Sequence, residues 1–346
     1  MSEIKITSVQ QFVEQVAMLE LKENHTRFFR GHSDSEYEMI PSIYREPYLI
    51  KNEHRIIQDA FTYCSEYFSE NETLFEKLVK LQHYDYKTRL LDVTSNALVA
   101  LFFAIDSCTE RSVKIDEDKD GEVVILDIPD DEIKYPSSDK VAILSAISLR
   151  DYEFNIQYCI DNAVHKTMIE LFLDLENQKK MIEFYENNPL EKTIENHLIS
   201  LNTNMGEYLR KRVHENKDKL FINFFNQQSE IAKLLHDVRQ DRLGFSPMIN
   251  FEDISRVLCV RTKHSNPRIL RQHGAFLLFG MGREKKFCAN LSLEWQHNKG
   301  NSRLIIQKDF KLSILNDLQS FGISRQTLFP ELDSQATHII SRYKDD

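Results

Sequence analysis

The sequence predicts an α+β fold, in which a mixed β core is flanked by helices and interrupted by a helical insertion. Short apolar runs typical of buried strands occur in the first and last thirds of the chain, and segments with helical spacing lie between them. The middle stretch has a helical, polar-faced pattern with few helix-breaking residues. We therefore predict that residues 1–150 and 250–346 form the α+β core and that residues 151–249 form a helical insertion or subdomain.

Local signals define the elements of the first half. Two capping boxes, Ser8 with Gln11 and Thr73 with Glu76, predict the starts of helices, because the first side chain of each can accept from an unpaired amide of the first turn. A strand is predicted at Thr26–Arg30, ending at the glycine that follows. The other predicted elements of this half are a helix over residues 53–68, a buried helix from Asn96 onward and a buried strand over residues 121–129.

Further strands and helices are predicted after the insertion. Asn266–Pro267 predicts the start of a short helix, because Asn is a good N-cap and Pro is tolerated at the first helical position. Gly274 is expected to end that helix, and the apolar run that follows it predicts a buried strand. The remaining predicted elements are strands over residues 254–261 and 303–307, a helix over residues 310–321 and a last helix after Pro330.

Composition and charge narrow the class of protein. The 346 residues include 44 Lys and Arg against 54 Asp and Glu, a net charge of −10 that disfavours a general nucleic-acid-coating protein but leaves a local basic site open. The five cysteines form no C-x-x-C pair and the 12 histidines are scattered, so neither a disulfide framework nor a metal site is predicted. The N-terminus lacks an apolar run, and no stretch reaches the roughly 20 apolar residues of a membrane span. We expect a cytoplasmic protein without membrane contact.

The first candidate for chemistry is Arg30. It ends an apolar strand and is followed by Gly31, which lets a ligand or another backbone approach closely. A planar, permanently charged guanidinium suits a pyrophosphate or a carboxylate. The alternative is an arginine that pairs with an aspartate at the edge of the core.

The second candidate is a group of polar residues within an apolar run. It consists of Thr88, Arg89, Asp92, Thr94 and Ser95. Buried polar side chains need partners, so Arg89 could pair with Asp92 and Ser95 could cap the following helix. The functional alternative is that Thr94 and Ser95 bind an anion at the helix N-terminus.

The third candidate is Arg268 with Gln272, four residues apart on the short predicted helix and therefore on the same side of it. A glutamine amide both donates and accepts, so it can recognise a ribose hydroxyl or an amide. The alternative is an ordinary surface pair.

These segments together resemble the FRG domain family, which takes its name from a Phe-Arg-Gly tripeptide near its start. The resemblance covers about residues 25–130 and 255–335, and it does not extend to residues 150–245. The matching motifs are Phe29–Arg30–Gly31, then Gln82–His83–Tyr84 with Thr88–Asp92 and Thr94 before an apolar helix, and finally Arg268-x-x-x-Gln272-x-Gly274-x-Phe276.

The resemblance implies a component of bacterial and phage conflict systems. The order of motifs is also similar, more distantly, to ADP-ribosyltransferases of the Arg–Ser–Glu type, which use NAD. That similarity implies that the catalytic residues are Arg30, Thr94, Ser95 and Gln272. It further implies that Arg30, His83, Tyr84, Thr88, Arg89, Asp92 and Arg268 bind NAD, with Arg30 on the diphosphate.

The third motif departs from the transferase pattern. Gln272 stands where a catalytic glutamate is expected, and no glutamate lies within Arg268–Gly282. An amide cannot supply the negative charge that stabilises an oxocarbenium-like centre. Asp92 or a carboxylate from elsewhere would have to replace it, or else the site binds without catalysing.

Three functional hypotheses follow. The first is an effector of toxicity or phage defence, an NAD-dependent ADP-ribosyltransferase or NAD glycohydrolase. The second is a non-enzymatic sensor or partner-binding module, with residues 151–249 binding an antitoxin, phage or host protein. The third is a nucleic-acid hydrolase that acts through Arg30, Arg89 and Asp92, which the acidic net charge disfavours.

Overall fold

The structure is a computed structural model that describes residues 2–106, 118–172, 217–246, 248–263, 266–297, 302–341 and 343. It confirms the α+β fold class. The strands are β1 (Ser2–Ile6), β2 (His25–His32), β3 (Leu90–Thr94), β4 (Gly121–Pro129), β5 (Ile133–Lys134), β6 (Val257–Val260), β7 (Gly274–Phe279) and β8 (Ser302–Ile306).

Helices connect these strands. They are α1 (Val9–Ala17), α2 (Pro47–Tyr63), α3 (Leu74–His83), α4 (Ala97–Ile105), α5 (Asp139–Ala146), α6 (Ile156–Phe172), α7 (Ser229–Asp241), α8 (Phe251–Ile254), α9 (Pro267–Gln272), α10 (Lys311–Ser320), α11 (Arg325–Leu328) and α12 (Leu332–Ser341). Residues 217–226 are helical as well.

The described strands form one mixed sheet in the order β1-β8-β4-β2-β3-β7-β6-β5. The two outer pairs, β1 with β8 and β5 with β6, are parallel, and the inner pairs are antiparallel. Strand β2 pairs with β4 along its whole length, whereas it pairs with β3 only where Phe29 lies opposite Thr94. The sheet therefore consists of two half-sheets, β1-β8-β4-β2 and β3-β7-β6-β5, which meet at this one point. We call this contact the joint.

The helices cover one face of the sheet in two separate groups. Helix α4 packs on the first half-sheet so closely that a Cβ on Gly31 would lie 2.0 Å from the carbonyl oxygen of Ala100. Helices α2, α3 and α5 cover the second half-sheet around Phe276 and Leu278. The opposite face buries Phe28 and Leu91 under Trp295, in the irregular segment that follows β7. The joint lies between the two helix groups, where the half-sheets meet.

The two predicted capping boxes agree with the observed starts of helices. The Ser8 hydroxyl accepts from the amide of Gln11, and Thr73 and Glu76 make both reciprocal bonds of a capping box. Asn266 caps α9, as its sequence predicts. The strand from Thr26 is one residue longer at its start and two longer at its end than predicted, because pairing with β4 continues through Gly31 and His32.

Some local predictions were wrong. Ser95 does not cap α4; the cap is Asn96, whose side chain accepts from the amides of Leu98 and Val99. The strand predicted from residue 254 begins at Val257, because residues 251–254 form one helical turn. Gly274 does not end α9 but starts β7, since His273 takes the left-handed conformation at the helix end with a φ of 49°.

The segment at 151–249 remains a predicted insertion. Residues 173–216 of it lie outside the described residues. Its described helices pack onto the second half-sheet through side chains such as Cys159, Ile160, Leu234 and Val238. Within the described ranges, no helix combines the length and the apolar character needed to cross a membrane.

Candidate functional site

Arg30 fills the space where β2 and β3 part beyond the joint. Its Nη1 donates to the backbone oxygen of Asp92 at 2.6 Å, and its Nε donates to Nε2 of His32 at 3.0 Å. Beyond Phe29 and Thr94 the backbones of β2 and β3 do not pair, and the side chain of Arg30 bonds the Asp92 oxygen in place of a backbone amide. Part of the Arg30 surface stays exposed, so the guanidinium links the half-sheets and still reaches solvent.

The surroundings of Arg30 are positively charged. Burial lowers the pKa of the Arg30 guanidinium to about 10, an effect that the carboxylate of Asp92 opposes and the charge of Arg45 reinforces. Burial also lowers the pKa of His32 to about 3, with Arg30, Arg45 and Arg303 adding to the shift. His32 is therefore neutral at pH 7 while Arg30 remains charged.

Asp92 presents an exposed carboxylate beside the joint. It lies opposite Phe276 in the β3–β7 ladder, and its carboxylate accepts from Nε2 of Gln82 at 2.6 Å. The hydroxyl of Thr88 donates to the other end of the Gln82 amide. Because both ends of that amide are bonded, Gln82 fixes the position of the Asp92 carboxylate.

His83, the last residue of α3, lies close to Asp92 and Arg268. Burial lowers its pKa to about 4, the charge of Arg268 lowers it further and that of Asp92 raises it, so the ring is neutral at pH 7. Its ring meets that of Phe276 edge-on, with 6.4 Å between centroids. Its Nε2 is buried and has no hydrogen-bond partner among the described residues.

Thr94 and Gln272 lie next to each other, and the polar groups of their side chains bond backbone atoms. The Thr94 hydroxyl donates to the backbone oxygen of Gln272 at 2.6 Å and accepts from the amide of Asn96. The Gln272 side chain donates to the backbone oxygen of Leu328 at 3.2 Å. Arg268, one turn earlier on α9, stacks on the ring of Phe329, 4.6 Å from its centroid.

Ser95 and Tyr84 are exposed, each at one edge of this region. Ser95 follows β3, and its backbone amide donates to the oxygen of His273 at 3.1 Å. Tyr84 follows α3, and its ring meets that of Tyr67 edge-on at 5.9 Å.

Arg89 does not pair with Asp92, which corrects the structural interpretation of this run. Arg89 lies at a bend just before β3 with its side chain in the interior, whereas Asp92 lies on β3 with its side chain exposed. Arg89 is fully buried and pairs with Glu53 at 2.5 Å, and Lys285 lies 3.0 Å from the same carboxylate. Burial opposes ionisation of Glu53, but the charges of Arg89 and Lys285 lower its pKa.

Three residues near Arg30 were not predicted from the sequence. They are His32, Tyr37 and Arg45. His32 carried a usable signal, because a residue two positions after Arg30 on a strand lies on the same face. Tyr37 and Arg45 belong to the irregular connection between β2 and α2, where no periodic pattern indicates direction.

The structure thus brings together a set of polar groups at the joint. Arg30, Gln82, His83, Asp92 and Arg268 are connected by hydrogen bonds or by charge effects on one another. Within the ranges that the structure describes, no group of three or more His, Cys, Asp and Glu residues could hold a metal ion. The arrangement offers an anchored carboxylate, two guanidinium groups and a neutral imidazole.

Comparison with known families gives one match. The model of the FRG domain matches residues 25–112, from the first residue of β2 to just beyond α4. No curated protein and no solved structure matches the chain. The matched segment includes Arg30, Gln82, His83 and Asp92, so most of the polar groups at the joint belong to it. The chain therefore contains an FRG domain, at residues 25–112.

Proposed function

We propose that the joint binds NAD and that the protein cleaves the bond between nicotinamide and ribose. The observation that carries this proposal is the exposed carboxylate of Asp92, held by Gln82 beside the guanidinium of Arg30. It supplies the negative charge that Gln272 cannot supply. A fixed carboxylate next to cationic groups suits a substrate that carries phosphates and develops positive charge on a sugar.

Asp92 acts in this proposal by electrostatic stabilisation. As the bond from the ribose C1′ to the nicotinamide nitrogen breaks, the bonding electrons leave with nicotinamide and positive charge develops on the ribose. The Asp92 carboxylate stabilises that charge. Water or a nucleophile on a macromolecule then bonds to C1′ and loses a proton to solvent, giving ADP-ribose or an ADP-ribosylated product.

The neutral imidazole of His83 and the charge of Arg268 complete the proposed site. The unpartnered Nε2 of His83 is free to bond the nicotinamide amide or a ribose hydroxyl, since a neutral ring nitrogen either donates or accepts according to its tautomer. Arg268 lies near His83 and adds positive charge there. Thr94 and Gln272 support β3 and α9 in this proposal and do not contact NAD, because backbone groups occupy them.

NAD turnover by Asp92→Asn tests the proposal. This variant keeps the size of the side chain and removes its charge, so we expect nicotinamide release to fall by about 100-fold or more, as when one transition-state-stabilising group is lost. Asp59→Asn is the matched control, because Asp59 is an exposed aspartate on α2. It should release nicotinamide at the wild-type rate. Equal rates for Asp92→Asn and the wild type, or no release by the wild type, would sink the enzymatic proposal.

A second candidate is an NAD-binding sensor without turnover. The observation that favours it is the use of Thr94 and Gln272, two residues of the transferase-like layout, in bonds to the backbone. It predicts that NAD raises the thermal unfolding midpoint of the wild type while no nicotinamide appears. Release of nicotinamide by the wild type contradicts it.

The biological role that we propose is that of an effector in bacterial toxicity or phage defence, as the resemblance of the FRG domain implies. Inducible expression in bacteria tests it through cellular NAD and growth. We expect the wild type to lower NAD and arrest growth, and Asp92→Asn to do neither. Growth arrest that is equal in both, with NAD unchanged, would contradict this role.

A further inference from the structure

A second group of side chains, His32, Tyr37 and Arg45, lies beside Arg30, at the end of β2 and in the connection between β2 and α2. The ring of Tyr37 joins its members: the His32 ring meets it edge-on with 6.2 Å between centroids, and the Arg45 guanidinium lies 5.8 Å from its centroid. Arg30 bonds His32 directly. Arg30 is therefore next to Asp92 on one side and to this group on the other.

Arg30 and Arg45 both have N–H groups without a partner among the described residues. Arg45 is exposed and contacts the backbone oxygen of Ile40 at 3.3 Å, and no carboxylate of the described residues lies within ion-pair distance of it. Arg30 uses two of the five N–H groups that a guanidinium carries. Arg303 differs, because both of its hydrogen bonds to Glu122 hold it in an ion pair.

His32 adds a buried donor without a partner. Its Nε2 accepts from Arg30, so the proton of the neutral ring is on Nδ1. That Nδ1 is buried, only 2% of the residue surface is exposed, and no described residue bonds it. Buried polar groups nearly always have partners, and leaving one without a partner is costly. This N–H lies close to two guanidinium groups that have donors to spare, and such a combination of groups suits an anion.

We propose that Arg30, Arg45 and the Nδ1 of His32 form an oxyanion site that holds a phosphoryl group of the dinucleotide. The assignment to a dinucleotide rests on the proposed function. A phosphoryl group carries several acceptor oxygens, and guanidinium groups bind it with paired N–H bonds. Its negative charge also offsets the repulsion between Arg30 and Arg45. Arg45 and His32 then act as binding residues, with Arg30 shared between the phosphoryl group and the Asp92 side.

Calorimetric titration of the full chain with inorganic pyrophosphate, ADP-ribose and nicotinamide riboside tests this site. We expect pyrophosphate and ADP-ribose to bind the wild type and to bind Arg45→Ala at least about tenfold more weakly, which corresponds to about 1.4 kcal/mol. Nicotinamide riboside has no phosphate, so Arg45→Ala should leave its affinity unchanged. The matched control is Arg55→Ala, which removes an exposed arginine on α2 and should bind all three probes as the wild type does.

The outcomes separate this inference from the proposed function. If Arg45→Ala binds pyrophosphate and ADP-ribose as tightly as the wild type, the oxyanion site is overturned, whatever happens to NAD turnover. If the wild type binds both probes in an Arg45-dependent way but releases no nicotinamide, the oxyanion site stands and the enzymatic proposal fails. A loss of nicotinamide riboside binding equal to that of ADP-ribose would show a general effect of the substitution and would overturn the assignment to phosphate.

Discussion

Gly31 is the residue on which the contact between β2 and α4 depends. A Cβ at this position would lie 2.0 Å from the oxygen of Ala100 and 2.5 Å from the nitrogen of Ala104, both of them backbone atoms that cannot rotate away. We expect Gly31→Ala to lower the free energy of unfolding by about 3 kcal/mol, because the strand and the helix must separate. Urea unfolding measures this. Gly244→Ala is the control, since among the described residues no atom other than those of Gly244 and its two chain neighbours lies within 4 Å of the added Cβ. A similar loss in both variants would refute the steric argument.

His32 gives the protein a predictable response to acid. Its pKa is about 3 in the folded chain, against an ordinary value of 6.5, so below pH 6.5 the unfolded chain takes up a proton that the folded chain does not. Stability from this group is fully present above pH 6.5 and is lost as the pH falls towards 3, by up to about 1.4 kcal/mol for each pH unit. Urea unfolding of the wild type and of His32→Asn between pH 7 and pH 4 should show the smaller pH dependence in the variant. If the free energy of unfolding changes equally with pH in the wild type and the variant, His32 is not the source of the acid response.

At the scale of elements, two adjacent residues, Ser95 and Asn96, are candidates for the N-cap of α4. Asn96 accepts from two amides of the first turn, whereas the Ser95 side chain is exposed. We expect Asn96→Ala to cost about 1 kcal/mol of unfolding free energy and Ser95→Ala to cost less than about 0.5 kcal/mol. Thermal or urea unfolding of the two variants measures the difference. A larger loss for Ser95→Ala would mean that α4 starts one residue earlier.

Elements with a strong local signal were predictable from the sequence. The capping boxes at Ser8 and Thr73, the apolar helix α4 and the apolar strand β4 each rest on neighbouring residues. Some other elements were not predictable in this way. Strand β1 owes its place to parallel pairing with β8, at the other end of the chain, and β5 is two residues long. Helix α5 went unpredicted because it is buried nearly all round, so it has no apolar stripe.

At the scale of the whole molecule, the sequence could single out segments whose polar groups meet at the joint but not how their side chains pair. Arg89 pairs with Glu53 from α2 and Lys285 from the segment after β7, partners that no local pattern links to it. Asp92 was predicted as a site residue, yet its anchor in Gln82 depends on how α3 turns towards β3. Ladders and helix packing decide these pairings, and both are set by contacts between residues far apart in the chain.

The joint is also a mechanical link between the two half-sheets, and Arg30 is part of it. Because its guanidinium bonds the Asp92 carbonyl, we expect Arg30→Ala to cost about 2 kcal/mol of unfolding free energy, the usual effect of losing a hydrogen bond to a charged group. Hydrogen–deuterium exchange should rise at residues 29–32 and 90–94. It should stay unchanged at residues 302–306, since β8 is separated from the joint by β4 and β2.

A second substitution at the same position, Arg30→Lys, separates the linking role of Arg30 from its proposed role in binding. Arg30→Lys keeps the positive charge but cannot bond the Asp92 carbonyl and His32 together through one planar group. We therefore expect the lysine variant to show the raised exchange at the joint while it retains more affinity for pyrophosphate than Arg30→Ala. If exchange at residues 29–32 and 90–94 is that of the wild type in both variants, the joint does not depend on Arg30. The single contact of Phe29 with Thr94 would then be enough to hold the half-sheets together.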